Sequence, residues 1–455
     1  MTIGPIAHGI GGVKDLPVPG WLFLYGAAVV LVASFVALTT LWKRPHFDAA
    51  RRGRPLAPAV QRVLLSRALR VVFGSIGFGL LVFVAVAALV GDRNETRNLA
   101  PTFVYVFFWL GLVPVVALVG NVWSILNPWR AAADGAAALW ARAGRTWEPL
   151  LDYPERLGRW PAAVLLLAFT ALELAYTDPA DPRRLALAIY LYSMVTWIGM
   201  IIFGRRAWLV NGEAFTVYFG LLARIAPLGV RRRAAARHVV LRAPLVGLAR
   251  KETRAGALAF VAVMLGSVAF DGFSRTTAWG DLRASVFAAA PGSFEVVGIV
   301  LNLGGLLGAV VLVALAYLGA VWTANAFARD TRSLTGAFVP SLVPIALVYV
   351  VAHYFSLVVI QGQVGVRLAS DPLGWDWNVF GTADFRPNLM PLSPNTIWYV
   401  QVVSLVVGHV AGLLVAHDRA VALFRSATTA LTTQLAMLAL MVLYTVGGLW
   451  VLSQG

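Results

Sequence analysis

Cysteine is absent from the 455-residue chain, which excludes disulfides, thiolate metal sites, iron–sulfur clusters and cysteine nucleophiles together. Charge is scarce too: Asp, Glu, Lys and Arg make up 13% of the residues, against 59% hydrophobic ones. A chain this poor in charge lies outside the composition of soluble globular domains. With only six histidines, any site must be assembled from those few imidazoles, from carboxylates or from hydroxyls. Catalytic patterns of high specificity are missing as well. No GxSxG elbow, HExxH helix, GxGxxG after a strand or zinc-finger spacing occurs, and "GIGG" after His8 lacks the Lys-Ser/Thr of a phosphate loop.

Long apolar runs fill the chain instead, with a mean hydropathy of +0.77. Runs of roughly 20 residues are long enough to cross a hydrocarbon layer of about 30 Å as helices. No alternating ten-residue segments of a transmembrane barrel are present. The expected spans are 21–42, 71–91, 102–126, 161–177, 185–203, 255–271, 294–321, 338–361, 396–417 and 432–452. The fold class is therefore an all-α integral membrane protein, a bundle of about 10 (10–11) transmembrane helices.

The net charge of +16 follows topology rather than nucleic acid, which is not expected as a partner, because the basic residues sit in short loops between apolar runs. Segment 43–70 has eight Arg/Lys against one Asp, and 204–254 is the most basic, with "GVRRRAAARH" at its centre. The positive-inside rule puts both in the cytoplasm. Residues 207–228 are apolar but carry Asn211, Glu213 and Arg224, so they read as interfacial or re-entrant; an eleventh crossing there would invert everything after it. The chain then divides into an extracytoplasmic segment 1–20, a first helix group 21–203, a basic cytoplasmic loop 204–254, and a second helix group 255–455 with an outer loop 362–395. Both termini face outward from a cytoplasmic (inner) membrane. The outer loop, rich in Pro, Gly, Trp and Asp, is expected to be ordered, either capping a site or forming an aromatic interface belt.

Ionisable groups deep in a bilayer cost on the order of 2.5–3.5 kcal/mol or more, so those that stay there are functional candidates. His353 in "YVVAHYFSLV" and His409 in "VVGHVAGLLV" lead, since neither is a loop residue under this topology. Imidazole ligates metals, binds haem iron and moves protons near neutral pH; equally, each ring could serve as an interhelical hydrogen-bond link. Asp271 in "SVAFDGFSRTTAW" ends a helix, as a site residue or as ordinary Asp-Gly-Ser turn chemistry. Glu173 lies about a turn from an outside helix end and suits a snorkelling or salt-bridged role as well as a functional one. His417–Asp418 reads as a helix-end interfacial cluster, while His46 and His238 sit among basic residues. His8 lies in a glycine-rich stretch that could fold back over the outer mouth.

Five stretches carry a family resemblance: "AHGIGGVKDLPVPGWLFLYGAAVVLVASFVAL", "GNVWSILNPWR", "SVAFDGFSRTTAW", "DPLGWDWNVFGTADFRPN" and "GHVAGLLVAHDRA". Together they resemble the bacterial membrane proteins named fenitrothion hydrolase, over nearly the whole chain. The resemblance implies a membrane-bound enzyme that cleaves an organophosphorus triester into a nitrophenol and a dialkyl thiophosphate; it supplies no catalytic residue set. That chemistry needs an activated water and a cation on the phosphoryl or thiophosphoryl bond. A divalent metal ion held by His353, His409, Asp271 and His8 would provide both, with His353, His409 and Asp271 as the catalytic set and a small apolar substrate arriving from the lipid bilayer. Two other readings stay open: a transporter or metal-handling permease, and a b-type cytochrome with His353 and His409 as axial ligands.

Overall fold

Several helices begin with the same local device, a capping side chain followed by proline at the first helical position. Asn127-Pro128, Asp181-Pro182 and Ser393-Pro394 each place a side-chain oxygen against a backbone N–H three residues on, at 2.8, 2.8 and 3.2 Å. Proline suits this position because its missing N–H would have had no helical partner. The structure, a computed structural model, describes residues 20–50, 53–233, 236–290, 292–328, 334–424 and 426–454. His8 and most of the N-terminal segment lie outside the described residues.

The apolar helices are α1 (Gly20–Leu41), α2 (Arg67–Val90), α3 (Leu99–Leu118), α4 (Trp160–Leu174), α5 (Pro182–Phe203), α6 (Ala257–Phe273), α7 (Phe294–Ala328), α8 (Val343–Ser370), α9 (Pro394–Leu423) and α10 (Ala427–Gln454). One falls at each expected position, and the chain is an all-α polytopic membrane protein. The count of full crossings differs from ten. Among the described residues eight of these helices are long and apolar enough to cross a membrane; a ninth arises only if α6 is joined to Thr277–Ala289, from which it is bent by 79°. At 1.5 Å per residue α4 and α6 are about 22 and 25 Å long, short of a hydrocarbon layer of about 30 Å. Within α3, residues Thr102–Gly111 wind as a π-helix.

The centre of the bundle is α6, which packs against α4, α7, α8 and α10. Its faces are apolar all round, the pattern of a helix enclosed by protein, and even Ser267 and Asp271 on it are buried. Residues 207–228 do not lie on a surface. They form two short helices, Arg205–Asn211 and Ala214–Leu222, and Phe215, Tyr218, Phe219, Leu221 and Leu222 are all core residues. Seven and nine residues cannot cross a bilayer, so no eleventh span exists there among the described residues. A small antiparallel sheet, β1 (Arg54–Pro55), β2 (Leu228–Arg233) and β3 (Ala236–Leu241), in the order β1-β3-β2, joins this segment to the chain after α1. The sequence gives no expectation of it.

The basic segments gather at one end: Leu56 bonds Val239, Leu151 bonds Ile202, and Glu252 bonds Gly336 through their backbones. At this arginine-rich end Glu252 is buried among Arg159 (3.1 Å), Arg224 (3.0 Å) and Arg254 (3.5 Å). Burial alone would push the Glu252 carboxyl up, but the three guanidiniums outweigh it and hold the carboxyl below its usual range. A carboxyl depressed in the folded state stabilises above its unfolded value, about 4.3, and that stability is lost as pH falls toward the folded value. Thermal unfolding in detergent should therefore show the melting temperature falling as pH drops below about 4.3. Glu252→Gln should melt lower at pH 7 and show a smaller acid-induced fall; equal falls in both proteins would remove Glu252 as the cause.

At the opposite end the 371–393 loop is ordered, as Asp371 accepts from the backbone of Trp375 and Asp376 (both 2.9 Å). It starts later than expected because α8 continues to Ser370. It docks on the turn after α2, through Asp92 N to Leu373 O (2.7 Å) and Arg97 to Asp376 (2.6 Å). Trp375, Trp377 and Phe380 on it are exposed, as interface aromatics are.

Candidate active site

Helix α6 stops because its last residues turn their own hydroxyls onto the chain. Ser274 Oγ donates to Asp271 O (2.8 Å), Thr276 Oγ1 to Phe273 O (2.7 Å), and Thr276 then caps the next helix. Asp271 itself is still helical, the turn falling after it at residues 274–276, and its side chain points inward to α8. Asp271 is buried, and its Oδ2 accepts from the Tyr354 hydroxyl (2.7 Å) and lies 2.9 Å from His353 Nε2. Arg275 Nη2 reaches Oδ1 at 3.3 Å. A carboxylate at a helix C-terminus faces the negative end of the dipole, and these three donors offset that.

The geometry fixes the imidazole. Facing a carboxylate that is already an acceptor for Tyr354 and Arg275, Nε2 carries the proton and Nδ1 keeps a lone pair. Nδ1 makes no hydrogen bond among the described residues. Gly272 lies beside it: a Cβ there would stand in ordinary contact with the ring, 3.8 Å from Nδ1, but only 2.5 Å from a methyl group of Val451, so glycine lets α10 approach.

His353 forms part of the wall of an apolar cleft of 560 Å³ between α6, α7, α8, α9 and α10, with Phe270, Phe273, Trp279, Tyr349 and Tyr444 among its lining. Leu312 and Leu443 at its rim are 68% and 63% exposed, so the mouth opens sideways on the apolar helix surface. Glu173, near the end of α4, points to the same region. It is in electrostatic reach of Asp271 and Tyr354, and it forms no ion pair among the described residues.

His353 and Asp271 are therefore brought together, and His409 is not with them. His409 is fully buried, with Nδ1 2.7 Å from Leu405 O of its own helix and the Tyr349 ring 5.9 Å away. Its Nε2 has no partner among the described residues, and it does not line the cleft. Among the described residues no three His, Asp or Glu side chains are disposed to hold a metal ion. The residues present do not fit a metal at this site, since His353 Nδ1 would be a lone imidazole ligand, too few to hold a divalent ion. His417 and Asp418 are buried rather than interfacial: His417 lies 2.6 Å from Gln434 Oε1 and 3.0 Å from Trp42 O, and Asp418 accepts from Trp42 Nε1 (2.9 Å) and the His46 backbone (2.7 Å). They tie the end of α1 to α9 and α10.

Two site residues escaped the sequence reading. Tyr354 adjoins His353, and its only signal was that position. Glu213, read merely as unsuited to a span, is fully buried and caps helix Ala214–Leu222 by accepting from the backbone of Phe215 and Thr216 (both 2.9 Å). It also accepts from Asn127 Nδ2 (3.0 Å) and from the hydroxyls of Thr216 and Tyr192. Tyr192 belongs in turn to a second apolar cleft, of 550 Å³, with Phe103, Phe169, Trp129 and Phe215. Comparison of the chain with protein-family models, curated proteins and solved structures finds no match.

Proposed function

We propose that the protein is a membrane-embedded hydrolase of small, uncharged, lipid-soluble esters, with organophosphorus triesters of the fenitrothion kind as the substrate class that the sequence resemblance suggests. One observation carries this reading: an Asp–His pair whose free imidazole nitrogen stands at the wall of an apolar cleft open to the side. In the reaction His353 Nδ1 takes a proton from water as the water oxygen bonds to phosphorus. The bond from phosphorus to the aryl oxygen breaks, the nitrophenolate leaves with the electron pair, and the proton passes from His353 to solvent. Asp271 holds the ring in its productive tautomer and offsets the imidazolium that forms. Arg275 steadies the Asp271 carboxylate from its other oxygen, at 3.3 Å. By the positive-inside rule the arginine-rich end faces the cytoplasm of a bacterial inner membrane, which puts the pair toward the outer leaflet.

Release of nitrophenolate from an aryl dialkyl thiophosphate by the detergent-purified protein tests this. The parent should hydrolyse it, and His353→Ala should be slower by at least about 100-fold, the lower range for loss of a general base. Parent rates no higher than those of empty micelles would dispose of the substrate class, and equal rates in the variant would dispose of the dyad. The 79° break after α6 favours a second reading, transport, because discontinuous helices commonly hold cargo sites. Uptake by proteoliposomes without product formation would select it.

A further inference from the structure

Helices α4 and α6 run side by side, and their first residues meet at the arginine-rich end. Arg159 N donates to Ala255 O at 2.7 Å. Gly158 and Gly256, at φ +44° and +71°, make this approach possible: a Cβ on Gly158 would lie 2.4 Å from Ala255 O, and one on Gly256 2.6 Å from Trp160 N. Neither helix start is capped by a side chain. Two helix N-termini, of 15 and 17 residues, thus direct partial positive charge at one place, although Trp160 N and Ala257 N already bond Leu157 O and Arg254 O.

Three arginines share that place with one carboxylate. Glu252 takes one amino group of Arg159 and also serves Arg224 and Arg254. Arg159 is only 4% exposed, yet its Nε and Nη1 have no partner among the described residues. Buried guanidinium N–H groups without acceptors are costly. Burial, aided by Arg224 and Arg254, pushes the Arg159 guanidinium down to about 10 against the pull of Glu252, which leaves it cationic at neutral pH. A single carboxylate does not balance this cluster, and no acidic residue occurs between Glu213 and Glu252 while eight Arg/Lys do.

We infer that the joined starts of α4 and α6, with Arg159, Arg224 and Arg254, form a binding site for an oxyanion of the phosphate class. The anion would accept from the orphaned Arg159 nitrogens and from the uncapped helix ends, the arrangement by which helix N-termini hold phosphate. Its source is either an anionic phospholipid headgroup or free phosphate. The site is independent of the hydrolase reading, since it lies at the other ends of the helices that carry Glu173 and Asp271.

Two arms test it on the intact, detergent-purified protein. Inorganic phosphate is titrated at constant ionic strength against chloride while thermal unfolding is followed, and phosphatidylglycerol retained through delipidation is counted by native mass spectrometry. Saturable stabilisation by phosphate supports a free anion, and retained phosphatidylglycerol supports a headgroup. In either arm Arg254→Gln, at a 42% exposed side chain, should weaken binding by about tenfold, as expected for one charge-assisted hydrogen bond. Arg159→Gln should abolish it. No response in either arm, or Arg254→Gln titrating like the parent, overturns the inference; because that variant alters an exposed side chain, misfolding does not cloud the result.

Discussion

Asp271→Asn is expected to leave the protein folded and inserted while lowering turnover of an aryl dialkyl thiophosphate by about two to four orders of magnitude, the range for a disabled general base. Asparagine has nearly the same volume, but it has one acceptor oxygen and no charge. With that oxygen facing the Tyr354 hydroxyl and His353 Nε2, as Oδ2 does at 2.7 and 2.9 Å, its NH2 group is turned toward Arg275, another donor. The imidazolium that forms as Nδ1 takes a proton then has no carboxylate to offset it. Tyr354→Phe removes only one of three donors to the same carboxylate, and should slow turnover by a few-fold, on the order of one hydrogen bond of about 1 kcal/mol. Nitrophenolate release at saturating substrate, alongside a melting curve, separates the two effects. Asp271→Asn with more than about a tenth of parental turnover would mean that the pair is not the base.

The largest effect on stability is expected at Glu213. Alanine there strips acceptors at once from two backbone N–H groups, from Asn127 Nδ2 and from the hydroxyls of Thr216 and Tyr192. Each buried donor left unpaired costs about 1–3 kcal/mol. The losses do not add fully, since the groups share one network, and a fall of more than about 3 kcal/mol is expected. That is a large part of the stability of a typical domain, so folded yield should drop sharply. Glu213→Gln keeps one acceptor oxygen and should recover part of the loss. Thermal unfolding and size-exclusion profiles in detergent would show this; an alanine variant melting within a degree or two of the parent would mean that the cap is dispensable.

How much could be read from the residues differs by element. The ten apolar helices were legible because nothing but a buried or lipid-facing helix tolerates such runs. The shortness of α4 and α6 was legible as well, since 161–177 and 255–271 are the two shortest expected runs, but the 79° bend after α6 was not, because hydropathy continues past a break. Residues 207–228 read as interfacial or re-entrant, and their packing in the core was not legible, because an apolar helix looks alike against lipid and against protein. The stretch around "VRRRAAARH" carries no apolar/polar alternation, so β2 and β3 could not be read as strands. Asp271 and His353 could each be singled out by the penalty of burying them, but they are 82 residues apart, and no local pattern reports a pairing at that separation. Glu213 was missed as a cap because that position favours Ser, Thr, Asp and Asn. His409 was expected to reach another helix and instead bonds the carbonyl four residues before it, a contact within its own helix.

The π-helix in α3 has a consequence for angular phase. A π-helical residue turns the chain through less than the 100° of an α-helical one, because its bonds reach five residues rather than four. Over the ten residues Thr102–Gly111 that lag sums to a large part of a revolution. Val113, Val116 and Ala117, all buried, take their direction from it. Rewound as an ordinary helix, the same residues would swing round toward the hydrocarbon, so these ten residues act as the protractor for the half of the helix that follows them.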